Sequence, residues 1–211
     1  MNILALETSQ PDASLCLHSG GSVSFVRQWH AERNHDAYLF PALRDALNLL
    51  GDESLDLILV GAGPGSYGGV RVALAAAVGL SMVRGAPVVA LPSWLQLTKD
   101  GMSIFSDAKR GGWTLQPPDG DLRVVGADEL RQLAADGASL GTVETREHLA
   151  ALGLPTSVPC SLRPDAEGLV ASWLALSPDR RQHFAGKPAE PIYVRPPHIT
   201  AAKHKPWEIR A

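Results

Sequence analysis

Hydrophobic positions near the N-terminus follow the pattern of consecutive β-strands. Residues 2–7 (NILALE) form a compact apolar run, typical of a buried strand. Residues 13–17 and 22–29 alternate between apolar and polar side chains, and the segment HSGG at 18–21 is a turn signal. The pattern therefore predicts three strands, the last two joined by a turn.

Two helices are predicted next. Residues 35–50 place their apolar side chains on one helical face, and Pro41 should kink this helix. The second helix spans 66–84, with Ser66 as the expected N-cap and Gly85 as the stop.

Short apolar runs at 57–60 and 88–91 flank the second helix and predict two more strands, and a further helix begins at 92–98. Three strands, a helix, a strand and a helix indicate an α+β or mixed α/β unit. A doubly wound parallel sheet would alternate strictly.

The pattern weakens after Gly101, where we place a domain boundary between residues 1–100 and a smaller second domain, 101–211. The tail from 191 is rich in proline and basic residues and is predicted to be extended. Candidate elements of the second domain are strands at 104–107 and 111–115 and helices at 127–135, 145–152 and 166–176.

Composition narrows the class of protein. Hydrophobic residues make up 45% and charged residues 19%, which is ordinary for a folded domain, and a net charge of −3 gives no global attraction to nucleic acid or anionic membranes. Two cysteines, Cys16 and Cys160, are too few for a disulfide framework. No secretory signal or spanning apolar segment is evident, so a cytoplasmic protein is expected.

The segment GPGSYGGVR at 63–71 has G-x-G-x-x-G spacing between a predicted strand and helix. A dinucleotide-binding loop needs an acidic residue about 20 positions later, but residues 57–99 contain no Asp or Glu. A P-loop needs Lys followed by Ser or Thr at the end of the glycines, where this chain has Gly68-Gly69-Val70-Arg71. The pattern favours a structural role, and the start of the helix remains a candidate anion site.

Small side chains along the second helix allow close approach of another element. Gly69, Ala73, Ala76, Ala77 and Gly79 form this run. Two interpretations stay open: the run packs on the chain's own sheet, or it belongs to an interface with another protein.

No catalytic or metal site is predicted. His30 and His35 are five positions apart, whereas two ligands on one helical face need a spacing of four. Ser66 lacks the G-x-S-x-G context of a hydrolase nucleophile. A basic tail could touch RNA through His198, Lys203, His204 and Lys205.

Five segments, in this order, resemble the TsaB (YeaZ) family across nearly the whole chain: ILALETS, NHDAYLFPAL, GPGSYGGVRVAL, SDAKRGGW and EPIYVRP. The resemblance implies an actin-like ATPase (ASKHA, ribonuclease H-like) fold with two related lobes, the second reduced. It also implies a non-catalytic subunit for tRNA threonylcarbamoyladenosine synthesis.

The resemblance further implies a catalytic TsaD-like partner, a TsaE-like ATPase, a homodimer when the chain is alone, and only indirect contact with tRNA. No cofactor is required, and ATP or ADP with magnesium would bind at the partner interface. Expected partner-binding residues on the two helices are His35, Leu39, Leu43, Gly69, Arg71, Ala73 and Ala77. A charge at Ala73 or Ala77 should then break the complex without unfolding the chain.

Candidate nucleotide- or anion-binding residues are Glu7, Thr8, Gly65 and Ser66. Two positions depart from the family pattern: Glu7 stands where Asp is usual, and Gly68 where Thr is usual. The alternative function is an enzyme active on its own, either an ASKHA phosphotransferase or a glycoprotease-like metallopeptidase. The acid-free span of 57–99 argues against it.

Overall fold

The fold consists of two β-sheets with helices packed against them. A computed structural model describes residues 1–108, 110–118 and 120–194. The strands are β1 (Ile3–Glu7), β2 (Asp12–Ser19), β3 (Ser22–His30), β4 (Leu57–Gly61), β5 (Val88–Leu91), β6 (Ser103–Asp107), β7 (Gly112–Gln116), β8 (Arg123–Gly126) and β9 (Leu140–Thr142). The α-helices are α1 (Asp36–Leu50), α2 (Tyr67–Arg84), α3 (Ala127–Ala135), α4 (Arg146–Leu152), α5 (Ala166–Ala175) and α6 (Pro178–Ala185).

The first sheet has the strand order β3-β2-β1-β4-β5. β1, β2 and β3 form an antiparallel meander, and β4 and β5 join parallel to β1. The parallel strands are connected through helices, as parallel pairing requires. Because β1 and β4 are buried on both faces, their sequences are nearly continuous apolar runs.

Alternate residues of these strands build a core on each side of the sheet. Leu4 and Leu6 face α1 and α2, whereas Ile3 and Ala5 face α5 and α6. Cys16 lies in the core on the side of α5 and α6, where burial raises the pKa of its thiol to about 12. Residues from both predicted domains, 1–100 and 101–211, therefore surround the first sheet.

The second sheet repeats part of the first. Its order is β8-β7-β6-β9, with β6 parallel to β9 and antiparallel to β7, as β1 is to β4 and β2. It has no counterpart of β5 among the described residues. Helices α3 and α4 cover one face through Leu130, Leu149 and Leu152. The topology is that of two related lobes with the second reduced.

Most elements predicted from the sequence are present, and four segments differ. Residues 92–98 contain a 3-10 helix at Ser93–Leu97, so the predicted segment is helical but is not an α-helix. The short strands β8 and β9 and helix α6 were not predicted. Helix α6 is strongly polar, yet Ser177 and Pro178 form a recognisable helix start, with the Ser177 hydroxyl accepting from the Arg180 amide.

Part of the C-terminal tail lies outside the described residues. This applies to Arg195 of the EPIYVRP segment and to His198, Lys203, His204 and Lys205 of the basic tail. Lys109 of SDAKRGGW is also outside them.

Candidate functional site

The residues that follow β1 and β4 meet at one edge of the first sheet. Carboxyl ends of neighbouring parallel strands share an edge, which is where open α/β sheets place their ligands. Glu7, Thr8 and Ser9 come at the end of β1, and the loop from Gly63 to Ser66 follows β4. The structure thus brings together the four candidate anion-binding residues.

The glycine loop packs directly on the segment after β1. The Ser66 amide donates to the Ser9 carbonyl at 2.7 Å, and the Thr8 hydroxyl donates to the Gly69 carbonyl at 2.8 Å. A Cβ atom at Gly65 would overlap the Ser9 backbone oxygen, and one at Gly69 would overlap that of Thr8. These glycines therefore serve close packing of two backbone segments.

Some polar groups of the predicted anion site already form hydrogen bonds within the chain. Ser66 caps α2 as predicted, and its hydroxyl accepts from the Gly69 amide at 3.2 Å. A cavity of about 50 Å³ adjoins Gly65 and Ser66. Ligand pockets typically measure about 300–1,000 Å³, so this cavity is too small for a nucleotide. Nucleotide binding at a joint surface with a partner stays a prediction.

Glu7 is completely buried beneath this loop. Its Oε1 accepts the Ser9 amide at 2.7 Å, while Oε2 has no hydrogen-bond partner in the described part of the chain. A Cβ atom at Gly61 would overlap Oε2, so glycine at that position makes room for the carboxyl. Burial raises the pKa of Glu7 above its ordinary value, although the hydrogen bond from the Ser9 amide opposes the shift. The group is a buried acid rather than an open metal ligand.

Glu7→Gln is expected to remove a pH dependence of stability. The folded chain holds the Glu7 proton above its ordinary pKa of 4.5, whereas the unfolded chain releases it. The wild-type free energy of unfolding should therefore fall as pH rises from 4.5 through the raised pKa, by about 1.4 kcal/mol for each unit between the two pKa values. Urea unfolding at a series of pH values measures this slope.

The matched control is Glu32→Gln, which changes an exposed glutamate and should keep the wild-type slope. A Glu7→Gln variant with the wild-type slope would show that Glu7 is ionised in the folded chain.

Most of the predicted partner-binding residues lie inside the chain. Leu39, Leu43, Ala73 and Ala77 belong to the core between the first sheet and helices α1 and α2. The interpretation of the small residues as packing on the chain's own sheet is thus supported for Ala73 and Ala77. As placed here, neither side chain can meet a partner, so a charge at either position should unfold the chain.

His35 and Gly69 are buried where α1 and α2 approach each other. The His35 Cδ2 atom lies 3.3 Å from the ideal Cβ position of Gly69, and neither ring nitrogen has a hydrogen-bond partner among the described residues. Burial lowers the pKa of His35, opposed by Asp36, so the ring is held neutral. Arg71, in contrast, is exposed on α2.

Sequence reasoning missed the exposed apolar side chains of the same two helices. They are Tyr38, Phe40 and Leu49 on α1, and Val78, Met82 and Val83 on α2. Val78 and Met82 lie four residues apart on one side of α2, and we call this side the helix face. Met82 and Val83 are 84% and 81% exposed. The signal was present in α2, which is apolar on all sides although only one side can pack on the sheet.

Among the described residues, no group of three or more His, Cys, Asp and Glu side chains could hold a metal ion. His30 instead contacts Asp12, with Nδ1 2.6 Å from Oδ1. None of the helices in the described part of the chain is long and apolar enough to cross a membrane.

Comparison with known proteins supplies the family. Residues 28–105 match the family model described as TsaD: tRNA N6-adenosine threonylcarbamoyltransferase. An uncharacterized protein of Mycobacterium tuberculosis strain H37Rv is 30% identical over 209 residues, which cover 92% of each chain. The tRNA threonylcarbamoyladenosine biosynthesis protein TsaB of Bacillus subtilis is 31% identical over 119 residues, covering 53% of this chain and 52% of that protein.

A solved structure agrees with the fold. YeaZ from Pseudomonas aeruginosa superposes with a TM-score of 0.69 at 24% identity, over 91% of this chain and 99% of that one. The shared architecture is the actin-like (ASKHA-type) fold. The relatives, the solved structure and the family motifs agree, and the chain belongs to the TsaB/YeaZ family.

Proposed function

We propose that this protein takes part in tRNA threonylcarbamoyladenosine biosynthesis as a scaffold subunit that binds a catalytic TsaD-like partner. TsaB proteins of Bacillus subtilis and Escherichia coli, which carry this pathway in their names, support the first part. The binding role is supported by a surface of this chain.

The helix face is the observation that carries the proposal. Large apolar side chains that stand clear of the chain's own core are a mark of protein–protein contact. On α2, exposed positions Ala75, Val78 and Met82 recur at helical spacing along one side. The small Ala75 and Gly79 beside them would let a partner helix approach closely.

The match to the TsaD family model supports a TsaD-like partner with a related pair of helices. Residues 28–105 contain both α1 and α2, so a TsaD-like protein has a related segment. Two related helix pairs can meet about an approximate two-fold axis, in the way identical subunits form a dimer. The same face would pair with a second copy of this chain when the partner is absent.

A non-catalytic role accords with the site at the end of β1. Glu7 is buried beneath the glycine loop, where its carboxyl is out of reach of a substrate. Chemistry would then reside in the TsaD-like partner. A TsaE-like ATPase, ATP or ADP with magnesium at the joint surface, and indirect contact with tRNA complete the proposal.

Val78→Asp is expected to weaken binding to the TsaD-like protein of the same genome at least tenfold, because a buried interfacial carboxylate without a partner costs well over about 1.4 kcal/mol. Calorimetry with the two purified proteins gives the dissociation constant. Modification of unmodified tRNA by the mixture should fall in parallel.

Val124→Asp is a matched control, since Val124 lies on β8 and is 40% exposed against 42% for Val78. It should leave binding unchanged. Absence of a wild-type complex would overturn the proposal, as would tRNA modification that is unaffected by adding this chain. Nucleotide turnover by the isolated chain with magnesium would instead favour an enzyme.

A further inference from the structure

Three side chains form an exposed group where α2 begins and the described chain ends; we call it the Tyr–Arg cluster (Tyr67, Arg71 and Tyr193). Nη1 of Arg71 donates a hydrogen bond to the Tyr67 hydroxyl at 2.6 Å. The Arg71 guanidinium lies 5.0 Å from the centroid of the Tyr67 ring, within cation–π range. The Tyr193 ring packs against Tyr67 with centroids 5.7 Å apart.

The backbone on both sides holds the cluster in place. Tyr67 is the first residue of α2, directly after the cap formed by Ser66. On the Tyr193 side, the Ile192 amide donates to the Ala62 carbonyl at 2.8 Å. Ala189 packs against the core between the first sheet and helices α1 and α2. A site ordered before binding loses less conformational entropy when a ligand arrives.

The cluster is open to solvent, and its arginine has no counterion among the residues that the structure describes. Tyr67 and Tyr193 are 61% and 53% exposed, and the side chain of Arg71 is exposed as well. In the part of the chain that the structure describes, no carboxylate forms an ion pair with Arg71. A cavity of about 360 Å³ adjoins the cluster, lined also by Leu74, Ala189 and Pro191.

We propose that the Tyr–Arg cluster is the receptor for a carboxylate side chain of the partner protein. The planar guanidinium presents several N–H donors that match a carboxylate, and one contact to Tyr67 leaves others free. Arginine and tyrosine are also the residues in which the energy of protein interfaces concentrates.

Position on α2 links the cluster to the helix face. Arg71, Ala75 and Val78 follow one another at spacings of four and three residues, so they lie along the same side of the helix. A partner seated on Val78 would thus extend toward Arg71. This inference rests on the proposed function and adds the chemical group that the partner must present.

A protein carboxylate fits better than an RNA phosphate. Protein surfaces that bind nucleic acids place several cationic side chains against successive phosphates. Among the described residues, the cavity beside the cluster is lined by one cation, Arg71, together with aromatic and aliphatic side chains. A single fixed guanidinium among apolar groups is typical of a protein contact.

Arg71→Glu tests the inference, with Arg71→Gln as a milder variant. Calorimetry with the purified TsaD-like protein should show binding weakened about tenfold or more for Arg71→Glu, and about three- to tenfold for Arg71→Gln. The wild-type affinity should fall with added salt, and that of Arg71→Gln should fall less. Circular dichroism checks that both variants stay folded.

Arg180→Glu is the matched control, since it makes the same charge change on α6, which packs on the opposite side of the first sheet. It should bind like the wild type. Replacing the contacting acid of the partner by Lys should restore binding to Arg71→Glu.

The outcomes separate the two proposals. If the wild-type complex forms and Arg71→Glu binds as Arg180→Glu does, the carboxylate receptor is wrong and the scaffold proposal stands. If no wild-type complex forms, the scaffold proposal itself fails. If Arg71→Glu loses affinity for unmodified tRNA but not for the partner, the cluster binds RNA and the inference is overturned.

Discussion

Replacing Ala73 by aspartate is expected to unfold the chain rather than to disrupt a complex. Ala73 has no exposed surface and lies in the core between α2 and the first sheet, where it is surrounded by apolar groups. An aspartate there would have to bury a carboxylate without a hydrogen-bond or ion-pair partner. Such burial costs several kcal/mol, of the same order as the roughly 5–15 kcal/mol by which a domain is stable.

Ala75 provides the control on the same helix, two residues further along and exposed. Ala75→Asp should change the free energy of unfolding by well under 1 kcal/mol, because only helix propensity changes there. Urea titration followed by circular dichroism should show a cooperative transition for Ala75→Asp and none for Ala73→Asp. An Ala73→Asp chain with wild-type stability would mean that this side of α2 faces outward.

The elements of the first sheet were predictable because their signals are local. Strands such as β1 and β4 are apolar runs bounded by polar turns, and α2 has both a serine cap and a glycine stop. Short strands such as β9 carry too few residues to show a period. Their existence depends on pairing with distant strands, which a single sequence does not display.

The side of α2 that faces outward was not predictable from periodicity. An amphipathic helix such as α1 shows its buried face by contrast, and Leu39 and Leu43 are indeed buried. Helix α2 has apolar or small residues on every side, so the sequence offers no contrast to separate core from interface. In the structure, the first sheet covers the side of α2 that carries Ala73 and Ala77, and Val78 and Met82 are exposed.

The position of the candidate site was predictable from the sequence, but whether its glycines approach a ligand or another part of the chain was not. Strand–loop–helix order correctly places Glu7 and Ser66 at one edge of the sheet. The spacing of the glycines, however, is the same whether the backbone approaches a ligand or another backbone segment. Contact between Gly65 and the Ser9 carbonyl depends on the path of the chain after β1, which local patterns do not specify.

Gly69→Ala should therefore destabilise the chain, by about 1–3 kcal/mol, as overpacking of a rigid contact does. The added methyl would overlap the Thr8 backbone oxygen, which cannot rotate away as a flexible side chain would. Either α2 or the segment after β1 has to move. Movement would strain the hydrogen bond from the Thr8 hydroxyl to the Gly69 carbonyl and the contact of His35.

Gly68→Ala, one residue earlier, should change the free energy of unfolding in the opposite direction. A Cβ atom at Gly68 meets nothing within 4 Å. Alanine is a better helix former than glycine, so this change should stabilise the chain by up to about 1 kcal/mol. Urea unfolding of the two variants beside the wild type measures both effects. Equal and small changes at the two positions would show that α2 does not rest on the Thr8 backbone, and the glycine loop would regain its interpretation as an open ligand site.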